Sequence, residues 1–456
     1  MNLPQNGRVV VIDDKLEDEA KPLIEALSKN GIATRFFTGR ASALPEKPLD
    51  GVRLIFLDMV LEGMDFTTDT GDIVKALIAV LGRIVTSKNG PYIIFGWTNS
   101  PQHLQDLVSA LPVKPVLYVD MEKSDCFSDP AKVLQKIEQK LEQKLNEIGS
   151  LQVLFRWENL VNDSAYLTVN DFYGLCVNEA KPVEALDSLL LRLAKANLGK
   201  LYKEKKPEEL IVNSLFCLNG PFLDNVETTL QAVDFRNIWA RAPEYPKGDK
   251  DFEIDAKINT RIHVAQCSDS TVVPGNVYES WDASASKTLS EMVRDCLDPE
   301  PIRLAYLDAK RAAGVETSKD GQLIEEHKKA IFKEISAQTE EIIRNSKCCL
   351  VEVSPICDHA QKKWRRHRLL PCIVWQTSYV DCLKKNADFL FVTPRIYNTS
   401  CSPATFHFVF DFRHFHACSF DEAKNRKPLF RLRKDLIIEI QSRLTRHVSR
   451  PGILSL

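Results

Sequence analysis

The sequence predicts an N-terminal α/β domain with a doubly wound, five-stranded parallel sheet, followed by a helical connector and an α+β domain. Two observations predict the first domain. Short apolar runs end in polar residues, and helical patterns alternate with these runs over the first 125 residues. Such β-branched runs are typical of central parallel strands buried on both faces. A chain of 456 residues is too long for one ordinary core. We therefore predict a first domain over 1–127, a connector over 128–250 and a third region over 251–456.

The strands of the first domain are predicted from five apolar runs, at 9–12, 32–37, 54–57, 92–97 and 116–119. Between the first two, apolar residues recur at helical spacing over 16–30, and Gly31 can end that helix. Further helices are predicted over 71–81 and 102–111. Strands that alternate with helices indicate β-α-β units and hence a parallel sheet.

Chemically active side chains follow four of the predicted strands. They are Asp13 and Asp14, then Asp58, then Thr98, then Lys123. Ligands of doubly wound sheets bind outside the carboxyl ends of the strands, so these groups are expected at one edge. Crowded carboxylates repel one another unless a cation joins them, and hard oxygen ligands suit Mg²⁺. Asp58 could then attack phosphorus as a carboxylate nucleophile.

Residues 8–125 resemble the receiver domain family of response regulators, which has a flavodoxin-like fold. The resemblance rests on an acid pair, a single acid, a hydroxyl and an amine in this order at strand ends. The 44-residue separation of Asp14 and Asp58 and the stretch 56–65 are also similar to the family. The resemblance implies four Mg²⁺ ligands, the last through its main-chain carbonyl: Asp13, Asp14, Asp58 and Val60.

The same resemblance implies a function in two-component signalling. Asp58 would be the phosphoacceptor, with Thr98 and Lys123 contacting the phosphoryl oxygens. The implied partner is a sensor histidine kinase or another phosphodonor protein, and the C-terminal region would be the output module. Receivers fused to large modules of unknown type also look similar to components of bacterial antiviral conflict systems.

The chain departs from the family at two positions. Glu62 and Ser124 stand where the family usually has proline. An alternative therefore stays open, in which the domain is a pseudo-receiver scaffold that binds partners without being phosphorylated.

The connector begins with a predicted helix over 130–148 that has one apolar stripe. This helix either packs on the first sheet as its last helix or forms a dimer seam that carries the signal onward. The stripe is two heptads long, which favours packing on the sheet. Residues 151–250 are predicted to be largely helical.

The C-terminal region is predicted to be a mixed α+β domain. Strands are expected over 258–264, 272–278, 348–353, 389–392 and 406–412, and helices over 320–346 and 429–448.

A second hypothesis for this region is an effector hydrolase or nuclease. Cys357, Asp358 and His359 follow a predicted strand, where catalytic residues often lie. A zinc site could combine the first and last of these with His414, His416 and Cys418, although their spacing is not that of a zinc finger. Buried cysteines and a turn-forming aspartate would explain the same residues.

Charge and cysteine content favour a cytoplasmic protein. The net charge of −2 does not indicate a nucleic acid or membrane partner, and no apolar run has the length of a membrane span. The N-terminus is not a signal peptide, and twelve cysteines without paired spacing indicate reduced thiols. Nucleic acid could bind the basic run 362–368 and the last helix, but a solvated basic surface is the favoured interpretation.

Overall fold

Five strands near the N-terminus form a parallel sheet in the order β2-β1-β3-β4-β5. They are β1 (Val9–Ile12), β2 (Thr34–Phe37), β3 (Leu54–Leu57), β4 (Ile93–Trp97) and β5 (Leu117–Met121). This arrangement confirms the predicted five-stranded parallel sheet. The protein is represented by a computed structural model that describes residues 8–62, 68–98, 103–123, 132, 135, 136, 139, 143, 149–232, 252–267, 272–280, 285–319, 322–355, 366–385, 387–398, 404–414, 416–419 and 426–449.

Helices cover both faces of this sheet, as a doubly wound arrangement requires. They are α1 (Lys21–Lys29), α2 (Thr70–Ile84) and α3 (Leu104–Ala110). Val9 belongs to one apolar core with Leu23 of α1. Val10 belongs to the other core, with Leu77 of α2 and Leu107 of α3. Successive residues of β1 thus point to opposite faces and are fully buried on each.

The predicted helix over 16–30 is regular only in its second part. Its first five residues, Leu16–Ala20, form a π-helical turn before α1 begins. Pro22 lies in the first turn of α1 and has no amide hydrogen, so it cannot continue the hydrogen bonds of a preceding α-helical turn. Gly31, at φ +73°, ends the helix as predicted.

A long helix, α4 (Gly149–Gly174), supplies the remaining cover of the α1 face. Leu151 and Phe155 are buried in the same core as β1. Glu158 forms ion pairs with Arg8, at 2.6 Å, and with Arg53, at 2.7 Å, which precede β1 and β3. The start of α4 therefore packs on the sheet. The helix predicted over 130–148 lies outside the described residues apart from positions 132, 135, 136, 139 and 143, and none of these five belongs to its apolar stripe.

Two further helices follow, α5 (Pro182–Leu198) and α6 (Pro207–Ala232), so the described part of the connector is helical as predicted. By its internal contacts the chain divides into two units. The first comprises Met1–Leu190 and Leu215–Tyr245, and the second comprises Leu191–Ser214 and Pro246–Leu456.

The second unit is built on a largely antiparallel sheet with nine described strands. Its main path is β12-β14-β11-β10-β7-β16-β6, with β13 paired to β14 and β15 paired to β11. The strands are β6 (Val264–Ala265), β7 (Asn276–Glu279), β10 (Lys347–Glu352), β11 (Arg366–Gln376), β12 (Leu390–Val392), β13 (Ile396–Tyr397), β14 (Thr405–Asp411), β15 (His416–Ser419) and β16 (Phe430–Leu432). A separate hairpin joins β8 (Ser318–Lys319) to β9 (Gln322–Leu323).

Helices pack on this sheet, which gives the predicted α+β class. They are α7 (Phe252–His263), α8 (Ala285–Cys296), α9 (Glu300–Ala312), α10 (Glu325–Asn345) and α11 (Lys434–Val448). Ile437 of α11 is buried in one apolar core, and Met292 of α8 is buried in another.

The strand predicted over 258–264 is wrong. Residues 258–263 belong to α7, and only Val264 and Ala265 form a strand. Ile254, Ile258 and Ile262 recur at four-residue spacing, and this helical period decided the structure over the β-branched composition. No helix in the described part of the chain is long and apolar enough to cross a membrane.

Candidate functional site

The fold brings four predicted site residues to the carboxyl edge of the N-terminal sheet. Asp13 follows β1, Asp58 follows β3, Thr98 follows β4 and Lys123 lies just beyond β5. All four are buried, with at most 5% of each exposed. Asp14, the second member of the acid pair, is only partly buried.

Lys123 lies at the centre of this edge. Its Nζ is 2.6 Å from Asp58 Oδ2 and 2.8 Å from Asp13 Oδ2, and it also contacts the carboxylate of Glu19. A buried ammonium needs such partners, because burial without them disfavours its charge strongly. Lys123 therefore acts as an internal cation that joins three carboxylates.

Main-chain amides hold the other oxygens of the two buried aspartates. The amide of Lys15 donates to Asp13 Oδ1 at 2.8 Å, and the amide of Val60 donates to Asp58 Oδ1 at 3.2 Å. In both cases the donor lies two residues after the acid, so the turn after the strand fixes the side chain. Val60 is thus beside Asp58 as expected, whereas a role for its carbonyl as a metal ligand stays a prediction.

Glu19 is a member of the site that the sequence did not indicate. It lies in the π-helical turn Leu16–Ala20, is partly buried and accepts from Lys15 at 3.1 Å as well as from Lys123. An acid in the first turn of a helix is ordinarily a solvent-exposed partner of the helix dipole. Only the irregular start of the helix directs it to Lys123, and we find no sequence signal for that.

The pKa values of Asp13, Asp14 and Lys123 are all shifted from their ordinary values. Burial, the largest cause, raises the pKa of Asp13 to about 6, although Lys123 acts in the opposite direction. Burial also raises the pKa of Asp14. Burial alone would lower the pKa of Lys123, but the charges of Asp58 and Asp13 outweigh it and raise that pKa above its usual value.

The carboxylates fit a divalent cation. Asp13, Glu19 and Asp58 each offer an oxygen, and these oxygens lie within 4.8 Å of one another. Oδ1 of Asp14 is buried and has no hydrogen-bond partner among the described residues. A buried carboxylate oxygen with no donor beside other carboxylates is what a hard cation such as Mg²⁺ would satisfy. The structure therefore supports an acidic cluster that could hold a metal ion.

Comparison of the sequence with protein-family models found no matching family, and comparison with curated proteins found no similar sequence.

The residues proposed for a hydrolase or nuclease site, Cys357, Asp358 and His359, lie outside the described part of the chain, as does 362–365 of the basic run. His414, a candidate zinc ligand, lies instead within a described group with Asp295 and Asp411.

Arg413 already neutralises that acidic pair. Its Nη2 lies 2.6 Å from Asp411 Oδ2 and 2.9 Å from Asp295 Oδ2. Both acidic groups therefore contain an internal cation, Arg413 here and Lys123 at the N-terminal sheet. Among the described residues only the N-terminal group also has a buried carboxylate oxygen without a hydrogen-bond partner, Asp14 Oδ1, so it is the better candidate for a metal site.

A buried polar network beyond β10 was also absent from the sequence predictions. The Ser354 hydroxyl donates to Glu352 Oε1, and His367 Nδ1 lies 3.3 Å from the same oxygen. The serine hydroxyl and the histidine ring therefore contact the same carboxylate oxygen. The serine donates to a carboxylate and not to the histidine, so the network lacks a serine–histidine pair, and we interpret it as a packing element.

Proposed function

We propose that the N-terminal unit is a phosphoryl-accepting switch, with Asp58 as the acceptor and a divalent cation, Mg²⁺, held by the acidic cluster. The observation that carries the proposal is the 2.6 Å contact between Lys123 Nζ and Asp58 Oδ2 at the carboxyl edge of the sheet. An acid at this edge, paired with a fixed ammonium, has both the nucleophile and a positive group for the incoming phosphate.

The proposed reaction is a simple transfer. An oxygen of the Asp58 carboxylate forms a bond to phosphorus while the donor's P–O or P–N bond breaks, and the leaving group keeps the electron pair. With acetyl phosphate the leaving group is acetate, and with a phosphohistidine partner it is the imidazole. Mg²⁺, when bound, would neutralise phosphoryl charge.

Protein groups would orient the acceptor and stabilise the product. The Val60 amide holds Asp58 Oδ1, so the carboxylate has a fixed orientation before the donor arrives. Lys123 has three N–H donors and a charge opposite to that of the phosphoryl oxygens. Thr98, buried at the end of the neighbouring strand, is proposed to donate its hydroxyl to the same phosphate.

Glu19 would connect phosphorylation of Asp58 to the start of helix α1. Phosphorylation would replace the single negative charge of the Asp58 carboxylate by about 1.5 to 2 negative charges on the phosphoryl group, which would compete with Glu19 for Lys123. Loss of that ion pair would release the π-helical turn Leu16–Ala20, which leads directly into α1. A sensor histidine kinase or another phosphodonor protein is the proposed partner, and the C-terminal region is the proposed output module.

The test is the intact mass of the full chain after incubation with Mg²⁺ and acetyl phosphate or phosphoramidate. We expect a phosphoryl adduct on the wild type and on Asp72→Asn, which removes an exposed acid of α2, but none on Asp58→Asn. An adduct of equal yield on Asp58→Asn would contradict the proposal. No adduct on the wild type with either donor would favour the alternative of a non-phosphorylated scaffold.

A further inference from the structure

A cavity of about 1000 Å³ opens beside α7 in the second unit. Its walls are formed by α7 and β6, by residues 396–398 at β13, and by residues 429–430 and Arg433 at the two ends of β16. This volume is at the upper end for small-molecule pockets and large enough for the side of a peptide helix.

Helix α7 is held against the elements that form the other walls of the cavity. Ala256 is fully buried, and the amide of Tyr397 donates to Thr260 Oγ1 at 2.7 Å. At the end of the helix, the amide of Arg433 donates to the carbonyl of His263 at 2.7 Å. The helix is thus fixed against β13 and β16, and the groove beside it is built from connected elements.

The cavity-lining face of α7 is aliphatic and exposed. Ile254, Ile258 and Ile262 lie one turn apart, and 53%, 51% and 56% of their surfaces are accessible. Leu429, on another wall, is 51% exposed. Single exposed aliphatic residues are ordinary, but four that line one concavity form a patch of the kind used for recognition.

The charged side chains that line this cavity in the described part of the chain are all positive. Among the lining residues that the structure describes, the charged ones are Lys257, Arg261 and Arg433, and no carboxylate lies among them. Lys257 and Arg261 lie next to the isoleucine stripe on α7, and all three cations are exposed. The preferred ligand therefore combines an apolar surface with negative charge.

We propose that this groove binds an acidic amphipathic helix of a partner protein. Isoleucines at four-residue spacing match the ridges of a second helix, and the cations match acidic residues beside its apolar face. The site is concave, whereas a membrane-binding helix presents a convex apolar face. A single-stranded nucleic acid would need an exposed aromatic ring on which its bases could stack. Of the two described aromatic lining residues, Tyr397 has Lys257 Nζ over its ring at 4.9 Å from the centroid, and Phe430 is buried.

The inference is tested on the full chain without a phosphodonor, so its outcome is separate from that of the Asp58 experiment. The probe is a fluorescein-labelled synthetic peptide of about five helical turns, with leucines at three- and four-residue spacing and glutamates on both sides of them. A scrambled peptide of the same composition and a version with lysines in place of the glutamates are the peptide controls. Binding is measured by fluorescence anisotropy at two salt concentrations.

We expect the acidic helix to bind at least ~10-fold more tightly than either control peptide, and more weakly at high salt. Ile258→Asp and Arg261→Glu should each reduce its affinity by ~10-fold or more. Leu304→Asp, which changes an exposed aliphatic residue of α9 outside the groove, should leave the affinity unchanged. Because Arg261 is exposed, the glutamate variant keeps the packing of α7 and covers the case in which Ile258→Asp unfolds.

Three outcomes would overturn the proposal. One is equal affinity for the acidic helix and the scrambled peptide. Another is equal loss of binding in Leu304→Asp and in the groove variants. The third is tighter binding of a single-stranded oligonucleotide or of anionic phospholipid vesicles at the same residues, which would assign the groove to a different class of partner.

Discussion

The two units handle charge in opposite ways. At the carboxyl edge of the N-terminal sheet, Lys123 and three carboxylates are brought together and largely buried, so the positive charge is fully paired inside the protein and the carboxylates are in excess. In the groove beside α7, the cations are exposed and no described lining residue is acidic. Buried, compensated charge is costly to rearrange and suits chemistry at a fixed point. Exposed charge of one sign beside aliphatic surface suits recognition of another molecule.

The largest expected effect comes from removing the internal cation. Lys123→Ala leaves three carboxylates without their shared partner, and we expect the free energy of unfolding to fall by about 3–5 kcal/mol. Urea unfolding measures this loss, and Mg²⁺ should restore part of it if the acids bind a divalent cation. Lys75→Ala is the control, because its pair with Asp72 is exposed and worth about 1 kcal/mol or less. Equal losses in the two variants would remove the distinction between the buried and the exposed charge clusters.

The next effect concerns the packing of α4 on the N-terminal sheet. Phe155 is 3% exposed and packs in the sheet core, whereas Trp157, two residues later on α4, is 47% exposed. We expect Phe155→Ala to reduce the free energy of unfolding by about 3–4 kcal/mol and Trp157→Ala by less than about 1 kcal/mol. Urea unfolding of the two variants separates the cases, and similar losses would mean that α4 does not pack on the sheet through its buried face.

A smaller and pH-dependent effect comes from Asp13. Its folded-state pKa of about 6 lies above the ordinary value of 3.8, so the folded protein binds the proton more tightly than the unfolded chain. The stability contributed by this proton is therefore complete below about pH 4 and is lost as the pH rises to about 6. At 1.36 kcal/mol per pKa unit, the loss is on the order of 3 kcal/mol before compensation by other groups.

The measurement is urea unfolding in the presence of a chelator across this pH range. Asp13→Asn should abolish the decrease of the free energy of unfolding between about pH 4 and pH 6. Asp72→Asn, at an exposed position, should keep that decrease. A slope that is the same in all three proteins would contradict the assignment to Asp13. Mg²⁺ would bind the carboxylate form of Asp13, so the affinity of the protein for Mg²⁺ should fall as the pH drops below about 6.

The comparison also explains what the sequence could predict. Asp13, Asp58, Thr98 and Lys123 were placed correctly because carboxyl ends of parallel strands share one edge, whatever the loops between them do. Glu19 was missed because its position depends on a π-helical turn, which no residue pattern announced. The parallel direction of the strands in the first sheet was predicted from the β-α-β connections, but their order was not.

The second unit was harder to predict because its sheet is formed by distant segments. Strand β10 pairs with β7 and β11, and β16 pairs with β6 across more than 160 residues. Local patterns do not specify such pairings. The groove beside α7 follows from these pairings, so its cations and isoleucines had no visible relation in the sequence. Ile258 was assigned to a strand for a different reason, because the β-branched composition was given more weight than the four-residue spacing of the isoleucines.

The most direct test of the central claim is chemical identification of the phosphorylated residue. The full chain is incubated with Mg²⁺ and acetyl phosphate and then treated with borohydride, which reduces an acyl phosphate of aspartate to homoserine. Peptide mass spectrometry then locates the change. The proposed switch predicts homoserine at position 58, lost when Mg²⁺ is chelated or when Lys123 is replaced by alanine in a variant shown to be folded. Homoserine at Asp13, Asp14 or another acid, with position 58 unchanged, would contradict Asp58 as the acceptor.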